Sequence, residues 1–281
     1  MARPWYLLGC GYTGARVASL LANAPAAASS LILARRDPST LVELVASLAA
    51  LVPTQAVAAD LAAPDTLVIP ADAVVVHLAP PAQPDGSGER ALMTASAAAH
   101  RIIYVSTTGV YAPAAGAWVD ESWSIAPATA SGAARVAAER ALLDAQPPPV
   151  VVLRAPGIYG PGRGVAARLR EGTFRVIGDG TAHTSRIHVD DLVAAIVAVG
   201  LAAAPPSSIY NVADRDPCPT GEYADTAASM LGLPPPPRVP ADSVPREVAS
   251  MLLADRRIDA SRLTRELGWT PRYPSWRDAP L

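Results

Sequence analysis

The chain has 281 residues, enough for one large domain or a domain with a lobe, and enough to bury a full core. With 51% hydrophobic and 17% charged residues it is not an intrinsically disordered chain, and a formal net charge of −2 offers no electrostatic basis for binding nucleic acid, which needs a basic face. All 23 basic residues are arginine, so this chain supplies neither Schiff-base chemistry nor lysine-assisted proton transfer. Cys10 and Cys218 are the only cysteines; they make no disulfide framework or metal site and fit a reducing cytoplasm. The apolar start from Trp5 to Leu8 is too short for a secretory segment, and the longest aliphatic run, Leu41 to Val52, carries Glu43 and is too short to span a membrane. A cytoplasmic protein without nucleic-acid or membrane partners is expected.

The first apolar run leads into Gly9-Cys10-Gly11-Tyr12-Thr13-Gly14 and then into the alanine- and leucine-rich stretch from Ala15 to Leu21. Strand, Gly-x-Gly-x-x-Gly turn and helix, in that order, suit a dinucleotide. Gly9 permits the tight turn, Gly11 lets the backbone approach a pyrophosphate, and Gly14 lets the helix pack close to the strand. Unpaired N–H groups at the helix start then face the anion. Leu31 to Pro38 predicts a second buried strand ending at Arg35 and Arg36. An acidic residue about 20 positions past the glycines takes the ribose hydroxyls of NAD, whereas an arginine accommodates the 2′-phosphate of NADP. Arg35 stands 21 residues beyond Gly14, which predicts NADP(H) over NAD(H). A longer strand would instead bring the Asp37 carboxylate to the ribose.

Thr40 to Leu51 has helical spacing, and Gln55 to Leu61 reads as the third strand, with Asp60 placed to accept from an adenine amino group or to cap a turn. Asp72 to Ala79 is a continuous apolar run of the kind covered on both sheet faces, and His77 within it reads as a core or cofactor-edge histidine. After the Asp85 to Gly88 turn a helix is expected over Glu89 to Ala99. Arg101 to Tyr111 reads as the fifth strand; Ser106, Thr107 and Thr108 emerge at its carboxyl end, where ligands of open parallel sheets bind. Val150 to Gly162 gives a sixth strand and an abrupt Pro/Gly loop. Alternating strands and helices imply right-handed crossovers and a doubly wound parallel sheet in an α/β fold.

Beyond Gly162 the segments shorten: a helix over Val165 to Glu171, a strand and turn over Phe174 to Gly180, and a helix opening at His188 and running through Val199, with Asp190 or Asp191 as its N-cap. Ile209 to Val212 reads as one more strand. Helices are expected over Thr220 to Leu231, Ser243 to Leu253 and Asp259 to Leu267, with Pro234 to Pro237 as a stiff connector. Arg186, with Arg168, Arg175 and Arg257, is a candidate for bidentate binding of an anionic substrate. Residues 1–162 are thus expected to bind the cofactor and 163–281 to form a smaller substrate lobe interleaved with the last strands of the sheet.

In order along the chain, Gly9 to Gly14, Val76-His77-Leu78-Ala79, Tyr104 to Tyr111 and Leu153 to Gly162 resemble the extended short-chain dehydrogenases/reductases, whose relatives include nucleotide-sugar epimerases and dehydratases. Arg186 to Leu192, Tyr210 to Ala213 and Leu263 to Trp269 continue the likeness over nearly the whole chain. The resemblance implies a Rossmann fold with Gly9, Gly11, Tyr12, Thr13, Gly14, Arg35, Arg36, Asp60, Leu61, Leu78 and Ala79 beside the cofactor. It also implies a homodimer paired through two helices, as is common in the family.

The family's chemistry uses a Tyr-x-x-x-Lys pair on a helix and a Ser or Thr at the end of the fifth strand. Thr107 falls at the strand-end place, but Ser131 stands where the tyrosine is expected and Arg135 where the lysine is expected. Serine is a poor acid and base unless activated; Arg135, one helical turn on, keeps a charge that can anchor ribose or phosphate. The Asp-Glu pair of the 4,6-dehydratases is replaced by Thr108 and Gly109, which removes the groups that eliminate water. Where sugar-nucleotide users place an arginine four residues before the motif histidine, this chain has Thr184. It is therefore similar to atypical members of the NAD-dependent epimerase/dehydratase-like group. Tyr111 and Tyr159 are the first candidates to replace the tyrosine, followed by Glu121 and His183, and Tyr159 with Arg186 would face the substrate. The leading expectation is an NADP(H)-binding oxidoreductase acting on a small carbonyl or sugar-like substrate with Thr107 orienting the reacting oxygen. The alternatives are a catalytically silent nucleotide-binding or sensing module, and an epimerase with tightly held NAD.

Overall fold

Long runs of β-branched and aliphatic residues set the architecture. In the computed structural model, which describes residues 2–24, 26–145 and 147–280, seven strands form one parallel sheet. They are β1 (Arg3–Leu8), β2 (Ala28–Arg35), β3 (Thr54–Ala58), β4 (Val74–His77), β5 (Arg101–Thr107), β6 (Val150–Ala155) and β7 (Ile209–Asn211). Every residue of β4 and β6 is buried, as a strand covered on both faces requires. The strand order is β7-β6-β5-β4-β1-β2-β3. From β1 the chain turns to β2 on one side and later to β4 on the other, so the order reverses between β1 and β4, the switch point beside which ligands of open parallel sheets bind.

The helices are α1 (Tyr12–Ala22), α2 (Val42–Leu48), α3 (Ser87–Ala95), α4 (Ala130–Leu143), α5 (Val165–Arg170), α6 (Val189–Leu201), α7 (Thr220–Met230), α8 (Arg246–Leu252) and α9 (Ser261–Leu267). The strands of the central sheet and the helices appear where the sequence reading expects them, but several ends differ, and Gly157–Tyr159, read as part of a loop, is a short strand paired with Arg186–His188. The strand expected to reach Tyr111 stops at Thr107, because the Thr107 hydroxyl accepts from Gly109 N at 3.1 Å and opens a short 3₁₀ turn. The helix expected from Thr40 is preceded by a 3₁₀ turn over Pro38–Leu41 and begins only at Val42. Asp190 and Asp191 lie inside the first turn of α6 instead of capping it. The Asp191 carboxylate accepts from the backbone N–H groups of Arg272 and Tyr273, at 2.6 and 3.0 Å.

Two compact units share the chain: Met1–Ser106, Ala134–Leu153 and Val193–Tyr210 make the first; Thr107–Ala133, Arg154–Leu192 and Asn211–Leu281 make the second. The first holds a core that includes Tyr6, Leu8, Ile32, Val75, Leu92, Ile102 and Val152. In the second, Tyr159, Val165, Leu169, Tyr223 and Trp276 pack together, and paired short segments such as Gly157–Tyr159 with Arg186–His188 brace the loops. Among the described residues no helix is long and apolar enough to cross a membrane.

Within the first unit the end of α6 lies hard against β1. A Cβ on Gly200 would stand 2.1 Å from the ring of Trp5, which is fully buried and donates Nε1–H to Ala27 O. Arg101, also buried, donates to the carbonyls of Val199, Ala202 and Ala203 and so closes the carboxyl end of the same helix. Gly200→Ala should therefore destabilise the fold by about 1–3 kcal/mol, the range for overpacking, despite alanine's better helix propensity. Equilibrium denaturation would check this; an unchanged or raised midpoint would mean that α6 does not approach Trp5 this closely.

Candidate functional site

The glycine turn after β1 is built by backbone contacts. Gly9 has φ +80°, and a Cβ there would stand 2.6 Å from Ala79 N, so no other residue fits. Gly9 N and Cys10 N both donate to Ala34 O, and Leu78 N donates to Leu8 O, drawing the ends of β1, β2 and β4 together. A Cβ on Gly11 would meet only Gly9 O, at 3.8 Å, so the face of the turn at Gly11 is open. One on Gly14 would crowd Leu78 Cδ1 at 3.1 Å and Cys10 Sγ at 3.3 Å. Helix α1 starts at Tyr12 with no side-chain cap and no acid in its first turn. The helix dipole at this end is therefore not offset by an acidic side chain of its own first turn. Tyr12 lies under the Arg16 guanidinium, 3.9 Å away, and Thr13 is buried. Burial pushes the Cys10 thiol up to about 11, which keeps it neutral.

Strand β2 ends at Arg35, two residues before Asp37. The Asp37 carboxylate accepts from Ser39 N at 3.0 Å and Ser39 Oγ at 2.6 Å; these bonds hold it below the usual carboxylate range and turn it to its own loop. Arg35 is half-buried and Arg36 exposed, and among the described residues neither guanidinium has a hydrogen bond or ion pair. Asp60 accepts from Ala62 N at 3.0 Å and caps a turn, with Leu61 buried beside it. Leu78 and Ala79 are half-buried at the end of β4.

Behind this edge the first unit carries two buried polar pairs that sequence spacing did not reveal. His77 Nε2 and Glu89 Oε1 are 3.2 Å apart with both side chains fully buried. Burial lowers the His77 pKa and keeps the ring neutral. Ser106 Oγ donates to Glu139 Oε1 at 2.5 Å. Arg135 donates Nη1–H to Tyr104 Oη at 3.1 Å and Val105 O at 2.9 Å, so part of its guanidinium serves β5 directly.

In the second unit, the turn opened by Thr107 meets the start of α4: a Cβ on Gly132 would stand 2.8 Å from Gly109 O. This contact brings the Thr107 turn and the exposed Ser131 to one place. Thr107 Oγ1 accepts from Gly109 N and retains its own proton to donate.

The other candidates have internal partners. Tyr111 is fully buried; its hydroxyl donates to Asn211 Oδ1 at 2.8 Å and accepts from Arg154 at 3.1 Å, leaving no face for a substrate oxygen. Glu121 accepts from Asn211 N at 2.8 Å and pairs with Arg262, and His183 pairs with Asp255 at 2.9 Å. Tyr159 is buried against the His188 ring, and burial drives its pKa far above the ordinary phenol value. Arg186, expected to bind an anion, is buried: it stacks on Tyr223 at 3.7 Å and donates to Asp216 O and Thr184 O. Arg168 and Arg175 are exposed and bond neighbouring backbone carbonyls.

The sequence model described as the NAD dependent epimerase/dehydratase family matches residues 6–213. The chain belongs to that family. A 3-diazoavenalumate denitrifying reductase from a Streptomyces species is 36% identical over 138 residues, a match covering 46% of this chain and 45% of that protein. This chain thus matches less than half the length of that relative. A functionally unknown conserved protein from Silicibacter pomeroyi DSS has a similar structure, with TM-score 0.81 and 29% identity over 99% of this chain and 96% of that one. The dTDP-glucose 4,6-dehydratase DesIV from Streptomyces venezuelae, with NAD and TYD bound, shares the fold at TM-score 0.80 and 21% identity, covering 99% of this chain and 94% of that one.

Asp214, beside Arg186 in the second unit, is 2% exposed, and burial raises its pKa to about 7 against an opposing pull from Arg186. The folded chain thus holds a proton that the unfolded chain has released, so wild-type stability falls as pH climbs from about 4 through about 7. Asp214→Asn removes this dependence. Denaturation at pH 5, 6, 7 and 8 should show the variant gaining on the wild type with rising pH, by up to a few kcal/mol. A pH-independent difference would show that the carboxylate is ionised throughout.

Proposed function

We propose that the protein is an NADP(H)-preferring oxidoreductase that acts on a small carbonyl, imine or sugar-like substrate. The observation that carries the cofactor preference is the end of β2, where Arg35 has no hydrogen bond or ion pair among the described residues and the Asp37 carboxylate accepts from Ser39. The open face at Gly11 and the uncapped start of α1 fit the diphosphate, and Arg35, with Arg36, would hold a 2′-phosphate. Bound there, the dinucleotide supplies or accepts hydride at its nicotinamide ring. Thr107 would donate its hydroxyl proton in a hydrogen bond to the substrate oxygen, and Arg135 would carry the charge of the absent lysine. Residues 1–162 would bind the cofactor and 163–281 would form the substrate lobe, in the cytoplasm.

Ser131 cannot replace a phenol as proton donor. This favours acceptors that need no strong acid, such as a protonated imine, which hydride converts to a neutral amine. A neutral carbonyl would instead become an alkoxide needing a proton at once. The naming of the Streptomyces relative as a reductase supports the reductive direction.

A second reading, a nucleotide-binding module without catalysis, is favoured by the exposed Ser131 and by the bonds from Arg135 to β5. A panel of aldehydes, ketones, imines and nucleotide sugars with NADPH separates the two, since turnover of any member removes the silent module. Calorimetry should show Arg35→Ala weakening NADPH by about tenfold while NADH is unaffected. Equal losses for both nucleotides would overturn the preference. With a substrate that turns over, Thr107→Val should lower kcat on the order of 10²-fold without changing NADPH binding; unchanged turnover would remove Thr107 from the chemistry.

A further inference from the structure

The second unit contains an open cavity of about 760 Å³, within the size range of small-molecule sites. Its apolar lining includes Pro113, Ala128, Val244 and Leu253, and Asp242 and Arg246 are its charged residues. Its position is tied to the candidate chemistry within the same unit: Ala128 lies three residues before Ser131 and Pro113 six after Thr107. The walls are fixed, since Glu247 in α8 accepts from Ala130 N at the head of α4, at 3.0 Å, and Ala114 N donates to Ala254 O at 3.0 Å.

We propose that this cavity binds a small monocarboxylate with an apolar aryl or alkyl body, the carboxylate paired with Arg246. The proposal deepens, and for turnover rests on, the oxidoreductase reading. Neither Arg246 nor Asp242 has a hydrogen bond or ion pair among the described residues, so Arg246 is available as a bidentate donor to a carboxylate. The apolar walls can bury a hydrocarbon body, a gain proportional to the area removed from water. Asp242 supplies discrimination: one carboxylate can be satisfied by Arg246, whereas a nucleotide diphosphate would bring its further negative charge against Asp242. Val248 and Met251 in α8 and Leu253 just after it are 38%, 56% and 40% exposed, so this short segment presents hydrocarbon as well as charge.

Calorimetry on the full chain without nucleotide tests the proposal directly, and NADPH binding measured separately reports on the oxidoreductase reading. The probes are 3-phenylpropanoate, 3-phenylpropanol, acetate and UDP-glucose. Phenylpropanoate should bind at sub-millimolar concentration, the alcohol about tenfold or more weaker, and acetate and UDP-glucose not detectably. Arg246→Gln should lose about tenfold for phenylpropanoate and leave the alcohol unchanged; Ala249→Trp, which fills the cavity, should abolish both while NADPH binding persists. No binding of phenylpropanoate at millimolar concentration, tighter binding of UDP-glucose, or insensitivity to both substitutions would overturn the proposal even if NADPH binds normally.

Discussion

The contact between Gly9 and Ala79 is the constraint from which the first unit's geometry follows. Backbone meets backbone at a distance that leaves no room for a side chain, and Gly9 has the left-handed conformation that glycine adopts without steric cost. The parallel pairing of β1 with β4 makes this approach possible, since Leu8 stands opposite His77 and both connections leave the sheet at the same level. The pairing of Leu8 with Ala34 on the other side then places Arg35 one residue past the turn. A side chain at position 9 would push Ala79 away and with it the start of α1, so the position of that helix end and of the arginine depend on the same close approach.

The parts of this arrangement that could be read from the sequence are those written within about ten residues. The glycine turn, the apolar strands and the hydroxyls at the end of β5 are local patterns. The turn at Asp37-Pro38-Ser39 is local too: aspartate bonds the backbone two residues on and proline presets φ for the first helical position, so the longer-strand alternative for Asp37 was decided by chemistry visible in those three residues. Glu89 left a weaker trace, sharing one helix face with Leu92 and Met93 at the spacing that marks burial.

Long-range partners left no such trace. Ser106 with Glu139, Tyr111 with Asn211 and Asp191 with the Arg272 backbone are 33, 100 and 81 residues apart, and periodicity states that a residue is buried without saying what it meets. Arg186 shows the consequence. Among charged residues near a motif it reads as an anion ligand, yet a planar, weakly hydrated guanidinium stacks well on aromatic rings and can discharge its donors onto carbonyls. The aromatic partners, Tyr223 and Trp276, come from later in the chain, so only the folded arrangement distinguishes a structural arginine from a binding one.

The same burial limits what the remaining phenols can do. Burial pushes Tyr6, Tyr104 and Tyr223 up to about 12 and Tyr159 higher still, while Tyr111 is held between Asn211 and Arg154. A phenol serves as a proton donor near neutral pH when a neighbouring cation lowers its pKa. Arg135 does donate to Tyr104, but desolvation outweighs that effect and leaves this phenol weaker than a free one. None of these five tyrosines is thus poised to give up a proton near neutral pH: each spends its phenol on packing or on internal hydrogen bonds. On the proposed reading, the short hydroxyls of Thr107, at the end of β5, and Ser131, in the first turn of α4, would orient a substrate oxygen but hold their own protons too tightly to give them away. A site so equipped would work by position and polarity, with any proton supplied by the substrate or by water.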